Sequence, residues 1–141
     1  PLLTDAADLD TLAAYYGDMR QTLGMPLLIM GHGHPANGNP AYLRLRARLP
    51  EGVYLGCLSG EPGLAQVMTE LRRQPERALT VTPLLMSVGG HTLNDMAGDA
   101  PESWRSQLTK AGFDVHCRLT GVGRTAVVQQ IFVRKLQALL G

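Results

Sequence analysis

Two histidines that follow glycine carry the strongest chemical signal in the sequence. His32 lies between Gly31 and Gly33 after one apolar run, and His91 follows the glycine pair 89–90 after another. Neutral imidazole is a common ligand of divalent first-row metals and exchanges protons near neutral pH. Flanking glycines let a ligand or a second backbone approach closely. The pattern predicts a metal or proton-transfer site, and a turn whose histidine only bonds the backbone is the alternative for His32.

Carboxylates near the histidines are candidates to complete this site. Asp95 lies four residues after His91 on one helical face, where it would orient the imidazole ring. The helix start disfavours imidazolium and keeps His91 neutral. Glu61 follows the second strand and would complete a set of two histidines and one carboxylate with open positions. Favourable charge at a helix start and a solvated loop acid are the alternatives for Asp95 and Glu61, and His34 is a further candidate ligand for which solvation is favoured.

The elements that would position these residues alternate along the chain. Apolar runs predict strands at 26–30, 53–58, 78–85 (interrupted by Pro83) and 113–119. Helical spacing and end signals predict helices at 5–23, 40–49, 62–74, 91–111 (broken near 98–101) and 124–140. This alternation predicts an α/β fold, a three-layer αβα sandwich with a four-stranded parallel sheet. Ligands bind at the carboxyl ends of such strands, which selects loops 31–39, 59–63, 86–92 and 120–124.

Composition restricts the class of protein. The 141 residues fit one domain, and a hydrophobic fraction of 45% is typical of a soluble globular protein. A net charge of +1 gives no case for nucleic acid or an anionic membrane surface. No apolar run approaches the roughly 18 residues that span a bilayer. The absence of a basic-then-apolar leader favours the cytoplasm, with the periplasm as the alternative.

Cysteine chemistry is not expected to contribute to the site. Cys57 and Cys117 lie in apolar strand-like runs and not in a CxxC pair. Buried free thiols are therefore favoured over a thiolate zinc site or a disulfide framework. His116 lies within a predicted strand and is given no role.

Nucleotide binding is also a weak interpretation. Residues 31–36 match the G-x-G-x-x-A spacing of a dinucleotide loop, but Pro35 and Pro40 delay the following helix. The second strand ends at Ser59 without an acid for a ribose hydroxyl, and no Gly-Lys-Ser/Thr follows that would form a P-loop.

Several segments taken together resemble the anaerobic cobalt chelatases. These are the sirohydrochlorin cobaltochelatases, within the class II chelatases that also include ferrochelatase. The resemblance covers nearly the whole chain, corresponds to the carboxyl-terminal half of that family and implies a flavodoxin-like chelatase half. It rests on the segments 30–33, 54–58, 82–91, 94–97, 103–104 and 119–123.

The resemblance implies a chemistry for the candidate residues. The family binds Co²⁺ through two histidines and a glutamate and inserts it into a tetrapyrrole, without an organic cofactor. The resemblance places the two histidine ligands at His32 and His91, which are also the available bases near neutral pH. It places the glutamate at Ser59, because the E-x-x-P stretch of the family reads Ser59-Gly60-Glu61-Pro62 in this chain. Residues i and i+2 of an extended segment point the same way, so Glu61 is expected to take over the ligand role of this glutamate. The tetrapyrrole would lie against Met86, Ser87, Val88, Gly89 and Gly90.

The resemblance also implies a partner. The family's amino-terminal half is a similar α/β domain that forms the other wall of the cleft. Residues 1–24 would then be a linker and leading helix, and 25–141 a single chelatase domain. The chain is either a fragment or a short form that pairs with a second copy of itself, which predicts a homo-oligomer. A non-catalytic metal- or haem-binding half-domain is the competing function.

Overall fold

Helices and strands alternate as the sequence predicts. The computed structural model describes residues 6–34, 38–84 and 90–118. The predicted helix 124–140, the loop 120–124 and the proposed substrate contacts Met86 to Gly89 lie outside the described residues. The elements are α1 (Ala6–Leu23), β1 (Leu27–Gly33), α2 (Pro40–Arg46), β2 (Val53–Ser59), α3 (Leu64–Arg72), β3 (Ala78–Leu84), α4 (Gly90–Ala97), α5 (Trp104–Lys110) and β4 (Asp114–Cys117).

The four strands form one parallel sheet in the order β2-β1-β3-β4. Met30 of β1 therefore lies beside Gly56 on one side and Pro83 on the other. The chain moves from β1 outward to β2 and then returns to the far side of β1 to form β3. The direction of winding thus reverses between β1 and β3, and ligands of open α/β sheets bind at the carboxyl ends of the strands at such a point.

Helices cover both faces of the sheet. Leu27 and Ile29 pack with α1 and α2, whereas the alternate residues Leu28 and Met30 pack with α3, α4 and α5. We call these two sides the α1 face and the α3 face. The connection from β1 to β2 passes through α2 on the α1 face, and the connection from β2 to β3 passes through α3 on the α3 face. Because the direction of winding reverses together with the face, the two crossovers have the same hand. The predicted three-layer αβα sandwich is confirmed.

The first helix belongs to the same core as the sheet. Its buried positions recur at helical spacing, as predicted for 5–23, and pack against β1 and β2. Among the helices of the described residues, none combines the length and the apolar character needed to cross a membrane. The buried hydrophobic residues of α1 are Leu9, Leu12, Ala13, Tyr16 and Met19.

The predicted end of β1 at residue 30 is wrong. The strand continues to Gly33, with Gly31 opposite Cys57 and Gly33 opposite Ser59. Glycine is unfavourable in isolated strands, so the sequence indicated a loop. Ladder partners on both sides of Gly31, and on the β2 side of Gly33, override that local preference. As a result His32 belongs to the end of a strand and not to a loop.

Pro83 does not interrupt β3, in contrast to the prediction. The strand passes through it, and Pro83 lies beside Met30 of β1. The Val81 carbonyl accepts from the Arg118 N–H at 2.8 Å, so odd-numbered residues of β3 direct their backbone groups toward β4. The described pairing with β4 ends at Val81 opposite Cys117. Pro83 therefore directs its nitrogen, which carries no hydrogen, toward the β4 side and beyond the last described pair of that ladder.

Two helix boundaries also differ from the prediction. The helix α2 ends at Arg46 and not at 49, and α3 begins at Leu64, after Pro62. The Pro62 carbonyl accepts from the Cys57 N–H at 2.7 Å, which ties this residue to β2 and leaves Gly63 as the N-cap. Pro62 therefore does not begin the helix as expected.

The predicted break between α4 and α5 is confirmed and has a clear cause. Ser103, which is buried, accepts from the Ser106 N–H at 3.1 Å and donates to the Gly98 carbonyl at 2.8 Å. It thereby caps α5 and holds the end of α4. Trp104 then packs its ring on β2, where a Cβ added at Gly56 would lie 3.0 Å from the ring. The absence of a side chain at Gly56 thus makes room for the indole.

Trp104→Ala is expected to lower the free energy of unfolding by about 3–5 kcal/mol, because the indole is only 4% exposed and fills the α3-face core. Urea denaturation followed by circular dichroism measures the loss. Leu43→Ala is the control, since Leu43 is 43% exposed and should change the stability by about 0.5 kcal/mol. Equal losses in the two variants would contradict this packing.

Candidate functional site

His32 stands exposed at the end of the central strand β1. Its side chain lies on the α3 face, because Met30 two residues earlier packs there. The ring nitrogen Nδ1 lies 3.2 Å from the Gly33 carbonyl oxygen. A proton on Nδ1 is donated to this carbonyl, which leaves the Nε2 lone pair available to a metal or a proton. The backbone contact expected of a plain turn is therefore present and compatible with a ligand role.

An open cleft of about 410 Å³ lies beside His32 at the strand ends. Ser59 and Asp95, two of the residues singled out from the sequence, line it together with His32. Asp95 comes from α4 and Ser59 from the end of β2, so three elements converge here. Its other lining residues are Cys57, Leu58, Gly60, Gly63, Leu64, Glu102, Trp104 and Gln107.

His91 is the second residue of α4, so the prediction that it opens a helix is confirmed. This helix follows β3, whose end at Leu84 lies opposite Gly31 of β1. It packs through Met96 on the α3 face, the side on which His32 lies. The backbone of α4 therefore starts from the same edge of the sheet as His32. The structure describes the backbone at Gly90 and His91, and the pairing of His91 with His32 or Asp95 stays a prediction.

The geometry assumed for Glu61 is wrong. The strand β2 ends at Ser59, and Gly60 has a φ of 76°, so the segment from Ser59 to Glu61 is not extended. The argument that residues i and i+2 point the same way therefore does not hold here. Among the described residues, Ser59 lines the cleft, whereas Glu61 is exposed outside it. A ligand role for Glu61 stays a prediction.

Asn39 joins the loop after β1 to the loop after β2, and sequence reasoning missed it. Its Nδ2 donates to the carbonyl oxygens of Ser59 and Glu61, both at 2.9 Å. Its Oδ1 accepts from the backbone N–H of His34 at 2.6 Å. We call this set of three bonds the Asn39 clamp. The only local signal was an Asn-Pro pair, which indicates a turn or a helix start without indicating the distant partners.

The glycines at the strand ends allow backbone contact. A Cβ at Gly33 would lie 2.1 Å from the Ser59 carbonyl oxygen, and one at Gly60 would lie 2.5 Å from that of His34. Both residues have positive φ. The sequence left open whether a ligand or a second backbone approaches these glycines. Beside Gly33 the structure has a second backbone, that of Ser59. Gly31 is covered as well, by the ring of Tyr42.

The remaining candidate groups do not form a metal site by themselves. Cys57 is 2% exposed, and burial raises the pKa of its thiol to about 11, so it stays protonated at neutral pH. Cys117 is half-buried, and burial raises the pKa of its thiol too. His116 lies on β4 with Nε2 3.2 Å from Asp114. Among the side chains that the structure describes, which do not include that of His91, no three from His, Cys, Asp or Glu gather around one point.

Comparisons with known proteins agree with the resemblance seen in the sequence. Residues 5–140 match the family model described as cobalt chelatase (CbiK). The chain is similar to sirohydrochlorin cobaltochelatase CbiKC of Nitratidesulfovibrio vulgaris, with 34% identity over 118 positions, which cover 79% of this chain and 42% of that protein. It is also similar to the sirohydrochlorin cobaltochelatase of Salmonella typhimurium, with 28% identity over 149 positions, 99% of this chain and 55% of the relative. The chain spans about half the length of the curated relatives it matches.

Gly33→Ala is expected to destabilise the protein by about 1–3 kcal/mol more than Gly24→Ala, because only the first adds a clash with backbone. Gly24 is a matched control, since its φ of 68° is close to the 73° of Gly33 but a Cβ there meets nothing within 4 Å. The Gly24 variant should lose about 1 kcal/mol for the left-handed backbone alone. Urea denaturation compares the two, and equal losses would mean that the strand ends are not in close contact.

Proposed function

This chain belongs to the cobalt chelatase (CbiK) family, and we propose that it acts in the insertion of Co²⁺ into sirohydrochlorin. The observation that carries the proposal is the position of His32. It is exposed at the carboxyl end of β1, where the winding of the sheet reverses, and it shares a cleft with Asp95 of α4. Ligands of open α/β sheets bind at this position. The names of both relatives, sirohydrochlorin cobaltochelatases, give the metal and the macrocycle.

The metal ion is a substrate in this proposal, held before it is transferred. His32 and His91 are the two imidazole ligands, and the carboxylate of Glu61 or solvent completes the set. Ser59 lines the cleft at the position where the family has its glutamate. Imidazole and carboxylate accept several divalent first-row metals, so Fe²⁺ and Ni²⁺ are alternative substrates.

The transfer needs bases as well as ligands. Two pyrrole N–H protons must leave the macrocycle when the divalent ion enters it. An imidazole that releases the metal regains its lone pair and can accept one of these protons near neutral pH. His32 and His91 therefore serve first as ligands and then as bases. Asp95 would orient the ring of His91 from the next turn of α4, and residues 86–90 would contact the macrocycle.

The cleft needs a second wall to enclose a flat macrocycle. The described lining comes from the ends of β1 and β2, the start of α3, and α4 and α5 with the segment between them. All these elements belong to one sheet and to its α3 face. A second α/β domain would supply the opposite wall, either as another half of the same protein or as a second copy of this chain.

Replacing both His32 and His91 by alanine is expected to slow cobalt insertion at least about 100-fold, since the ligands and the bases are lost together. The change in the absorption spectrum of sirohydrochlorin on addition of Co²⁺ gives the rate. His116→Ala is the control, because this histidine is exposed on β4 beside Asp114. A double variant that inserts cobalt at the wild-type rate would contradict the assignment.

A non-catalytic metal- or haem-binding half-domain is the second candidate. It is favoured by Ser59, which lines the cleft at the position where the family has its glutamate and which has no carboxylate. Turnover by the 141-residue chain alone would exclude it. Binding of Co²⁺ or haem without turnover, even after a longer relative's other half is added, would support it.

A further inference from the structure

We infer that Asn39 is a positioning residue of the metal site, which acts by holding the end of β1, where His32 lies, against the segment from Ser59 to Glu61. The inference rests on the proposed function, because it assumes that a metal binds at these strand ends. Asn39 itself does not need to touch the metal or the macrocycle. It sets the distance between groups that come from two different strands.

The amide of Asn39 is well suited to hold two loops together. Both of its N–H groups are used, one on the Ser59 carbonyl and one on the Glu61 carbonyl, while its oxygen accepts from His34. The residue is only 3% exposed, so water cannot replace these bonds without a rearrangement. Buried polar groups that lose a partner keep their desolvation cost, which favours the clamped arrangement.

Helix capping does not explain Asn39. It occupies the N-cap position of α2, where an asparagine normally has an extended backbone and accepts from an N–H of the first turn. Here φ is 52° and ψ is 51°, and the side chain makes no capping bond. Its oxygen turns back to His34 instead. The left-handed backbone therefore directs the side chain toward the strand ends and not toward the helix.

The contacts around the amide bring its effect close to His32. A Cβ at Gly60 would lie 2.6 Å from Nδ2 of Asn39, and one at Gly33 would lie 3.2 Å from it. Gly33 directly follows His32, and its carbonyl is the group near Nδ1 of the imidazole. A shift of the amide would therefore move the backbone on both sides of the cleft. Since metal affinity depends on ligand spacing, the clamp should change affinity and coordination geometry.

Asn39→Gly is the most direct test, because glycine keeps the left-handed backbone and removes only the side-chain bonds. We expect the dissociation constant for Co²⁺ to rise about 10-fold and the visible absorption of bound Co²⁺ to change. Trp104 is the only tryptophan in the chain and lines the cleft, so quenching of its fluorescence by added Co²⁺ reports binding. Binding is measured at a temperature where circular dichroism shows a folded protein.

Asn39→Asp is a second variant, for use also if the glycine variant does not fold. It keeps the volume and the acceptor for His34, but its carboxylate would face the carbonyls of Ser59 and Glu61 without a donor. A comparable loss of Co²⁺ affinity is expected at neutral pH.

Gly52→Ala is the control, because Gly52 has a φ of 85° and its carbonyl accepts from Leu27 at the start of β1, the opposite end of the sheet. It should lower stability but leave Co²⁺ affinity and absorption unchanged.

The outcomes separate this inference from the proposed function. If His32→Ala abolishes Co²⁺ binding while both Asn39 variants bind like the wild type, the inference is wrong and the proposed function stands. If Gly52→Ala weakens binding as much as Asn39→Gly, the effect is general destabilisation and the inference is also wrong. If the wild-type chain binds no Co²⁺, or if His32→Ala binds it unchanged, both the inference and the proposed function are wrong.

Discussion

Gly33 of β1 pairs with Ser59 of β2 at the last described step of the parallel ladder, and this close pairing sets the geometry of the strand ends. A Cβ at Gly33 would lie 2.1 Å from the Ser59 carbonyl oxygen, so no other residue fits there without displacing the backbone. Because β1 runs on to this point, His32 emerges from a strand with neighbours on both sides. The rigid support of the imidazole thus depends on a contact in which only glycine can take part.

The topology of the sheet adds the second requirement for a site. Winding reverses between β1 and β3, which leaves a crevice where the following helices separate to opposite faces. The loop after β1 leads to α2 on the α1 face, whereas the chain after β3 enters α4 on the α3 face. Side chains alternate between the two faces along β1, so His32, two residues after Met30, lies on the α3 face, the side of α4. A histidine one residue earlier or later on β1 would point to the opposite layer.

Polar groups at the strand ends are satisfied by one another before any ligand arrives. The amide of Asn39 bonds the carbonyls of Ser59 and Glu61 as well as the N–H of His34. Loss of such a buried partner costs about 1–3 kcal/mol for each polar group left without a bond. A framework of this kind keeps loop positions constant, which a metal ligand set needs in order to reach a defined geometry. Cys57, which lies opposite Gly31 in the same ladder, is buried as well. Burial raises the pKa of its thiol and so favours the protonated form.

The sequence by itself determined the features that depend on local periodicity and on motif. Alternating apolar runs and helical spacing established the α/β sandwich, the break before Ser103 and the helix start at His91, and the joint motifs identified the family that the comparisons confirmed. Only the tertiary structure decided that β1 continues through its glycines, that Pro83 stays in its strand and that the chain turns at Gly60. It also disclosed Asn39, whose partners include residues about twenty positions away in the chain. Local propensity describes what a segment prefers alone, whereas ladder partners and close backbone contacts are supplied by other segments, so these features could not be read from neighbouring residues.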